Sequence, residues 1–241
     1  MTESTKSATR LFRLDPSVTA LLPELSVGVV IAKGFDNRRS AEEAARLLAD
    51  AVAAAQARIG DAEIPSLPEI APWREAYRAF GVKPSKYRSS IESLYRSAAS
   101  GSVRSINPLV DLYNVVSLGA GSPAGGEDLA ALAGDLVLTR ANGGEAFVPL
   151  GLAEGQPAIP AEIPFPGEAG AICRCLNWRE ADRTKLTDDT TDAVLFMECV
   201  DPAKLPDIER ACTELASLIE THLGGTTEVR MVTAGSPSCE L

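Results

Sequence analysis

The chain has a single histidine, His222, among its 241 residues. Serine and cysteine nucleophiles in hydrolases usually depend on a histidine base, so His222 is the one candidate for such a pair. It lies at the end of a predicted helix, where a histidine more commonly stabilises the helix C-terminus. A Ser-His-Asp or Cys-His mechanism therefore has no good candidate base. The sequence also lacks the Lys-Ser/Thr ending of a phosphate-binding loop and a dinucleotide-binding fingerprint.

Long apolar runs are lacking as well. The longest runs, such as residues 27–32, are far shorter than the roughly 20 residues of a membrane helix, and no hydrophobic signal region opens the chain. Five cysteines with one C-x-C pair match no familiar zinc or disulfide framework. We therefore expect a cytoplasmic protein with reduced, mostly buried cysteines and with no membrane, metal or cofactor. The oligomeric state stays open.

Basic residues are scarce in the second half of the chain. The net charge is −10, yet residues 1–105 carry 15 lysines and arginines against 12 acidic residues. Seven basic residues fall within residues 74–104, with two acidic residues among them. This cluster is suited to contacts with phosphate groups, although a solvated helix face is the commoner meaning of a charge run. The candidates for phosphate contacts are Arg78, Lys83, Lys86 and Arg88.

The apolar pattern predicts an α+β protein in which mixed and antiparallel sheets are flanked by helices. We expect a loosely held arm over residues 1–24 and one α+β domain over residues 25–241. The strand at 27–32 is apolar enough to be buried on both faces, and the last strand, 226–233, is expected to pair with it. Ser40 and Glu43 form a capping-box pattern before a helix. Further strands are predicted at 136–139, 146–150, 171–176 and 194–199, and helices at 41–59, 73–80, 87–98, 106–118 and 207–222.

The segment 103–129 joins an apolar run to a glycine-rich turn. Asn107 is a good N-cap and Pro108 a good first residue for a buried helix. Helical spacing places four polar residues of this helix on one face, so we expect them to line a pocket: Asn107, Asp111, Asn114 and Ser117. In the predicted turn at 119–126, the amides of Gly125 and Gly126 can approach a ligand closely. The alternative is a helix and a turn with a purely structural polar stripe.

A second polar cluster follows the strand predicted at 171–176. It contains Asn177, Trp178, Arg179 and Glu180, and such density in a loop favours a site. Asparagine and arginine side chains donate to carbonyl groups or anions, Glu180 can accept from an ammonium group, and Trp178 offers a stacking face. The alternative is a surface salt-bridge network with Trp178 half-buried as packing.

The residues of segment 103–129 resemble a known family. They are similar to the editing domain, B3/B4, of the bacterial phenylalanyl-tRNA synthetase beta subunit, whose pattern is I-R-S-I-[ND]-x-V-V-D-V-x-N followed by a Gly-x-Pro turn and an aspartate. The matching positions are Arg104, Ser105, Ile106, Asn107, Val110, Asp111, Asn114, Gly121, Pro123 and Asp128. The resemblance covers roughly residues 70–200, and the NVVSL and NWRE segments resemble free-standing members of the family.

The resemblance implies a domain that binds the aminoacylated 3′ end of a tRNA and hydrolyses the ester of a wrong amino acid. On this interpretation Glu180, Asn177 and Arg179 are the catalytic candidates, while the polar helix face, Gly125, Gly126 and Trp178 bind substrate. The basic cluster would bind tRNA. In the synthetase a histidine implicated in editing stands where this chain has Gly125. A non-catalytic module that binds an aminoacyl end or a small metabolite, and a small-molecule hydrolase without RNA, are the two alternatives.

Overall fold

A computed structural model describes residues 10–156, 158, 162–167 and 169–241. The strands are β1 (Leu11–Leu14), β2 (Ser26–Lys33), β3 (Ala124–Asp128), β4 (Leu136–Leu138), β5 (Phe165–Gly167), β6 (Gly170–Arg174), β7 (Arg179–Glu180), β8 (Asp192–Cys199), β9 (Thr226–Thr233) and β10 (Ser238–Glu240). The helices are α1 (Pro16–Thr19), α2 (Ala41–Ile59), α3 (Ala71–Ala79), α4 (Ser90–Ala99), α5 (Pro108–Ala120) and α6 (Leu205–His222). These elements give the α+β class that the apolar pattern predicts.

The strands form three sheets, and the largest is a central antiparallel one. The central sheet has the order β3-β8-β2-β9, so β3 is one of its edges. Two smaller sheets have the orders β10-β1-β4 and β5-β6-β7. In β2, Val30 and Ala32 pack into the core on the side of α5 and α6, whereas Val27, Val29 and Ile31 pack on the opposite side. The central strand is therefore buried on both faces, and its full-length pairing with β9 confirms the predicted contact with residues 226–233.

The N-terminal segment is better ordered than the sequence predicted. Residues 1–9 of the expected arm lie outside the described residues, but residues 10–24 contain β1 and α1. β1 lies between β10 and β4, and Phe12 is 0% exposed. Its ring lies 5.0 Å from that of Phe196 in β8 and 5.9 Å from that of Phe165. A loosely held arm is therefore wrong for residues 10–24, because their apolar side chains complete the core.

Three local predictions also need correction. Ser40 has a positive φ of 56° and makes no capping bond; its hydroxyl donates instead to the carbonyl oxygen of His222 at 2.9 Å. The segment 146–150 forms no strand, although the amide of Leu150 donates to the carbonyl oxygen of Glu180. The predicted turn at 119–126 is divided, since Gly121 ends α5 with φ 65° and residues 124–128 form β3. In each case a long-range contact outweighed the local pattern.

All five cysteines are free thiols, and four of them are buried, as predicted. None of the helices within the described ranges combines the length and the apolar character needed to cross a membrane.

Candidate functional site

A cavity of about 450 Å³ opens on the face of the central sheet opposite α6. Its walls come from β3, β8, the β6–β7 hairpin and one side each of α4 and α5. The apolar part includes Leu94, Leu150, Phe165, Ile172, Leu176 and Phe196. α4 contributes three serines at helical spacing, Ser90, Ser93 and Ser97, which sequence reasoning missed. The cavity therefore combines an apolar floor with several hydrogen-bonding side chains, as ligand sites commonly do.

A tight hairpin places residues 177–180 in the cavity wall. β6 and β7 are antiparallel, with Arg174 opposite Arg179. In the connecting turn, Cys175 and Leu176 take positive φ angles of 50° and 65°, and both side chains are fully buried. Two consecutive non-glycine residues in this region of φ are uncommon, and such strain concentrates at functional sites. The geometry supports the choice of this segment as one wall of a site.

The two glycines of β3 lie against the carboxylate of Glu180. The amide of Gly126 donates to Oε1 of Glu180 at 3.3 Å, and a Cβ placed on Gly125 would collide with that same oxygen. Burial raises the pKa of Glu180 to about 7, against the opposing effect of the hydrogen bond from Gly126. Because its pKa is close to neutral, Glu180 can exchange a proton with a substrate under physiological conditions. Gly125 is a glycine because the Glu180 carboxylate occupies the space of its side chain.

Two further buried carboxyl groups, Glu127 and Glu198, line the cavity. Burial raises the pKa of Glu198 to about 8 and the pKa of Glu127 well above its usual range, and the negative charge of Glu180 acts in the same direction on both. Among the residues that the structure describes, none donates a hydrogen bond to the Oε2 atom of either. Sequence reasoning missed both residues. The signal for Glu198 is a charged residue inside the otherwise apolar run 193–199, and Glu127 follows the glycine pair directly.

Asn177 is held from one side only. Its Oδ1 accepts a hydrogen bond of 2.9 Å from the hydroxyl of Tyr77, which is itself buried. Its Nδ2 faces the carboxyl of Glu198 but makes no well-aligned hydrogen bond. A buried amide without a partner is costly, so this donor is available to a bound ligand.

Trp178 is half-buried at the cavity, between aromatic and cationic neighbours. Its ring and the ring of Tyr87 form a T-shaped contact, with centroids 4.7 Å apart. The guanidinium of Arg179 lies 5.3 Å from the centroid of the indole. Arg174 is fixed by a buried ion pair of 2.6 Å with Glu162. The alternative prediction for this segment was a surface salt-bridge network. Within residues 177–185 the structure has one exposed ion pair, between Asp182 and Lys185.

Of the four polar residues on one face of α5, only Asn114 lines the cavity. Asn107 is the predicted N-cap: its side-chain oxygen accepts from the amide of Val110 at 3.1 Å, and its amide group donates to the carbonyl oxygen of Leu186. Asn107 is thus fully engaged in joining α5 to the segment before β8. Its expected place in the pocket wall is corrected, because the helix start consumes its hydrogen-bonding groups.

Asp111 and Ser117 are likewise engaged in local structure. The carboxylate of Asp111 accepts from the hydroxyl of Ser105 and from the amide of Ile106 at 3.0 Å. The hydroxyl of Ser117 donates to the carbonyl oxygen of Ser122 at 2.6 Å, across the end of the helix. Both side chains are buried away from the cavity. Asp111 and Ser117 therefore have the structural role that the sequence allowed as an alternative, and they do not form part of the pocket wall.

Part of the basic cluster is directed inward. The carboxylate of Glu92 is 1% exposed and binds Arg74 and Arg96 at 2.9 Å, with Arg88 within 3.9 Å. α4 begins at Ser90, so Arg88 precedes the helix rather than lying on it. A buried carboxylate among three arginines is a structural use of their charge, and it leaves Arg88 less free to contact phosphate than predicted.

The remaining cations of the cluster stay on the surface. Arg78 pairs with Glu75 at 2.5 Å in an exposed contact of the kind that contributes little to stability. Lys83 and Lys86 make no ion pair with another described residue. The ammonium group of Lys86 lies 5.0 Å from the ring of Tyr87, which in turn contacts Trp178. Arg179 therefore lies in the cavity wall, and Lys86 lies near it beside Tyr87.

The carboxyl groups of the site do not form a metal centre. Within the residues described, no three histidine, cysteine, aspartate or glutamate side chains lie close enough together to hold a metal ion. The arrangement offers instead a carboxylate able to take a proton, an amide donor without a partner, and an aromatic surface with cations at the rim.

Comparison with known proteins gives similarities to a family model and to solved structures. A family model described as the B3/4 domain matches residues 72–222, well over half of the chain. The chain is also similar to the crystal structure of an N-terminal fragment of the phenylalanyl-tRNA synthetase beta-subunit from Pyrococcus horikoshii, with 11% identity and a TM-score of 0.46. That similarity covers 90% of this chain and 49% of the other, so the chain spans about half its length. No curated protein matches the chain.

Proposed function

The chain belongs to the B3/4 domain family, and from that premise we propose that its cavity hydrolyses the ester bond of mischarged aminoacyl-tRNA. The observation that carries the proposal is the contact between Glu180 and the glycine pair of β3. The family resemblance places an editing histidine at position 125, and in this chain the carboxylate of Glu180 fills that space. A different side chain thus brings a proton acceptor to the same place.

Glu180 is suited to act as the general base. Its pKa of about 7 leaves a substantial ionised fraction at neutral pH and still makes it a useful proton acceptor. In the proposed reaction, Glu180 takes a proton from a water molecule whose oxygen attacks the ester carbonyl carbon. The bond from that carbon to the ribose oxygen then breaks, and the ribose oxygen leaves with the proton from Glu180. The products are a free amino acid and uncharged tRNA.

Asn177 is suited to stabilise the oxyanion that forms on the carbonyl oxygen. Asn177 lines the cavity, and its buried Nδ2, which faces the carboxyl of Glu198, makes no well-aligned hydrogen bond with any described group. Its orientation is fixed by the bond from Tyr77, so little reorganisation is needed when negative charge develops. Gly126 was an alternative donor, but in this structure its amide is occupied by Glu180. We assign the oxyanion contact to Asn177 for this reason.

The rim of the cavity is suited to the 3′ end of a nucleic acid. Bases of single-stranded RNA stack on exposed aromatic rings, and cations beside them contact the phosphates. Trp178 supplies the ring, while Arg179 and Lys86 supply the cations. Arg78 and Lys83 extend the positive surface farther along the cluster. The cavity volume suits an aminoacyl group, so the rest of a tRNA would stay outside it.

Deacylation of a panel of correctly and incorrectly charged tRNAs by the purified protein tests the proposal. We expect a mischarged member to be hydrolysed with a rate that rises with pH through about 7, since the ionised form of Glu180 is the active one. Glu180→Gln should lower kcat at least about 100-fold and remove this pH dependence, and Asn177→Ala should lower kcat by roughly 100-fold. Glu214→Gln, on the exposed side of α6, is the matched control and should change neither quantity.

A non-catalytic module that binds an aminoacyl end is the second candidate. No histidine lines the cavity in the described part of the chain, and this observation favours it. If the protein binds aminoacyl-tRNA measurably but hydrolyses no member of the panel, the binding module is the function and the deacylase is not.

A further inference from the structure

We infer that the cavity takes the ester of a diamino acid, with its α-ammonium group at Glu198 and its side-chain ammonium group at Glu127. This inference rests on the proposed function, since it names the substrate class of the same site. It begins from the positions of the three carboxyl groups on the central sheet.

The pairing of β3 with β8 places the carboxyl groups in a row. Gly125 lies opposite Phe196 and Glu127 opposite Val194, and residues in such pairs point to the same side of a sheet. Glu198 follows Phe196 by two residues and therefore shares that side. Glu127 and Glu198 are thus separated by four residue steps, or about 13 Å along the strand direction. Glu180, over Gly125, lies near the middle of this span.

This backbone separation is close to the reach of two ammonium groups on one short chain. The nitrogen atoms of an extended ornithine or lysine are five or six bonds apart, which gives roughly 6–7.5 Å at ordinary bond lengths. Adding about 2.8 Å for a charge-assisted hydrogen bond at each end gives a total of roughly 12–13 Å. The chain would pass at its centre the carboxylate of Glu180, which fills the space beside Gly125. A single metal ion could not reach both ends of the row.

The charge balance of the cavity points the same way. Arg183 acts on Glu127 from outside the cavity, whereas Glu198 forms no ion pair with any residue that the structure describes. Burial and the neighbouring Glu180 raise the pKa of Glu198, as expected for a carboxyl group that lacks a counter-ion. The α-ammonium group of a substrate would supply that counter-ion beside the Asn177 donor. A monoamino acid would leave the carboxyl group at Glu127 without a cation from the ligand.

A second observation concerns an amide group rather than a carboxyl group. Asn177 lines the cavity and is 8% exposed, and its buried Nδ2 makes no well-aligned hydrogen bond with any described group. It lies beside Glu198, where the ester carbonyl would lie if the α-ammonium group were bound there. A buried donor of this kind indicates a ligand group that the free protein lacks. The ammonium contact at Glu198 and the carbonyl contact at Asn177 together fix one end of the substrate.

The test compares lysyl-tRNA with norleucyl-tRNA, whose side chain has nearly the same shape but no ammonium group. We expect kcat/KM to favour lysyl-tRNA at least tenfold. Glu127→Gln should reduce this preference to less than about threefold, because it removes the side-chain contact alone. Glu198→Gln should slow both substrates by similar factors, since both carry the α-ammonium group, and Glu214→Gln should leave the preference unchanged. Equal rates for the two substrates, or a preference that survives Glu127→Gln, would overturn the inference.

A binding measurement separates this inference from the deacylase proposal. If no aminoacyl-tRNA is hydrolysed, calorimetry with the methyl esters of lysine and norleucine still decides the ligand class. Binding of the lysine ester at least tenfold tighter, with the difference lost in Glu127→Gln, supports the diamino ligand even though hydrolysis has failed. Equal affinities for the two esters, or no binding of the lysine ester, would refute it.

Discussion

Replacing Glu198 with glutamine should make the protein more stable than the unsubstituted chain at pH 9 and leave its stability nearly unchanged at pH 5. Glutamine has almost the shape of the protonated glutamic acid and does not titrate. The side chain is 4% exposed, so its ionisation in the folded state occurs without the water that stabilises a carboxylate in the unfolded chain.

The magnitude follows from the pKa of Glu198, which rises from 4.5 to about 8 on folding because of burial. Between these values the folded protein holds a proton that the unfolded chain has released. The free energy of unfolding therefore falls as the pH rises from about 4.5 to about 8. A pKa difference of roughly 3.5, at about 1.4 kcal/mol for each pKa unit, corresponds to a loss of about 5 kcal/mol by pH 9.

Urea unfolding followed by far-UV circular dichroism at pH 5, 7 and 9 measures this loss. Glu127 and Glu180 titrate in both proteins, so the difference between the two curves measures Glu198 together with its interaction with Glu180. Glu214→Gln serves as the control for removing one exposed carboxylate. A parallel fall in stability for the Glu198→Gln variant and the unsubstituted protein between pH 5 and pH 9 would show that Glu198 ionises as an ordinary exposed carboxyl group does.

Two further substitutions test the supports of the site. Phe12→Ala should lower the free energy of unfolding by about 3–5 kcal/mol in urea titrations, because it opens a cavity beside Phe165 and Phe196. A loss below about 1 kcal/mol would show that β1 is not part of the core. Glu92→Gln should cost about 2–4 kcal/mol by the same measurement, because the buried partner of its arginines loses its charge. An unchanged midpoint in urea would mean that the arginines find other partners.

Local patterns in the sequence were sufficient for much of the fold. The N-cap at Asn107, the helix at 41–59 and the strand at 226–233 depend on residues close together in the chain, and the structure contains all three. The pairing of the last strand with residues 27–32 was also predicted, since an apolar strand buried on both faces needs neighbours on each edge. The resemblance at 103–129 predicted the family that the match over residues 72–222 shows.

Patterns that allow two outcomes needed the tertiary structure. The polar residues on one face of α5 are equally compatible with a pocket wall and with structural hydrogen bonding. Long-range contacts decided between the two: Asn107 bonds to the segment before β8, and Asn114 faces the cavity. Ser40 met the local requirement for a cap, but the carbonyl oxygen of His222 was the better partner.

The sequence by itself determined the α+β class, the family and one wall of the cavity, the segment 177–180. Only the tertiary structure brought Glu127, Glu180 and Glu198 together, because β3 pairs with the distant strand β8 and the β6–β7 hairpin places Glu180 against β3. It also changed the meaning of Gly125. By the family resemblance, that glycine stands where a histidine is expected. In the fold, it leaves the space that the Glu180 carboxylate occupies. That contact depends on the geometry of the sheet and not on a local sequence pattern.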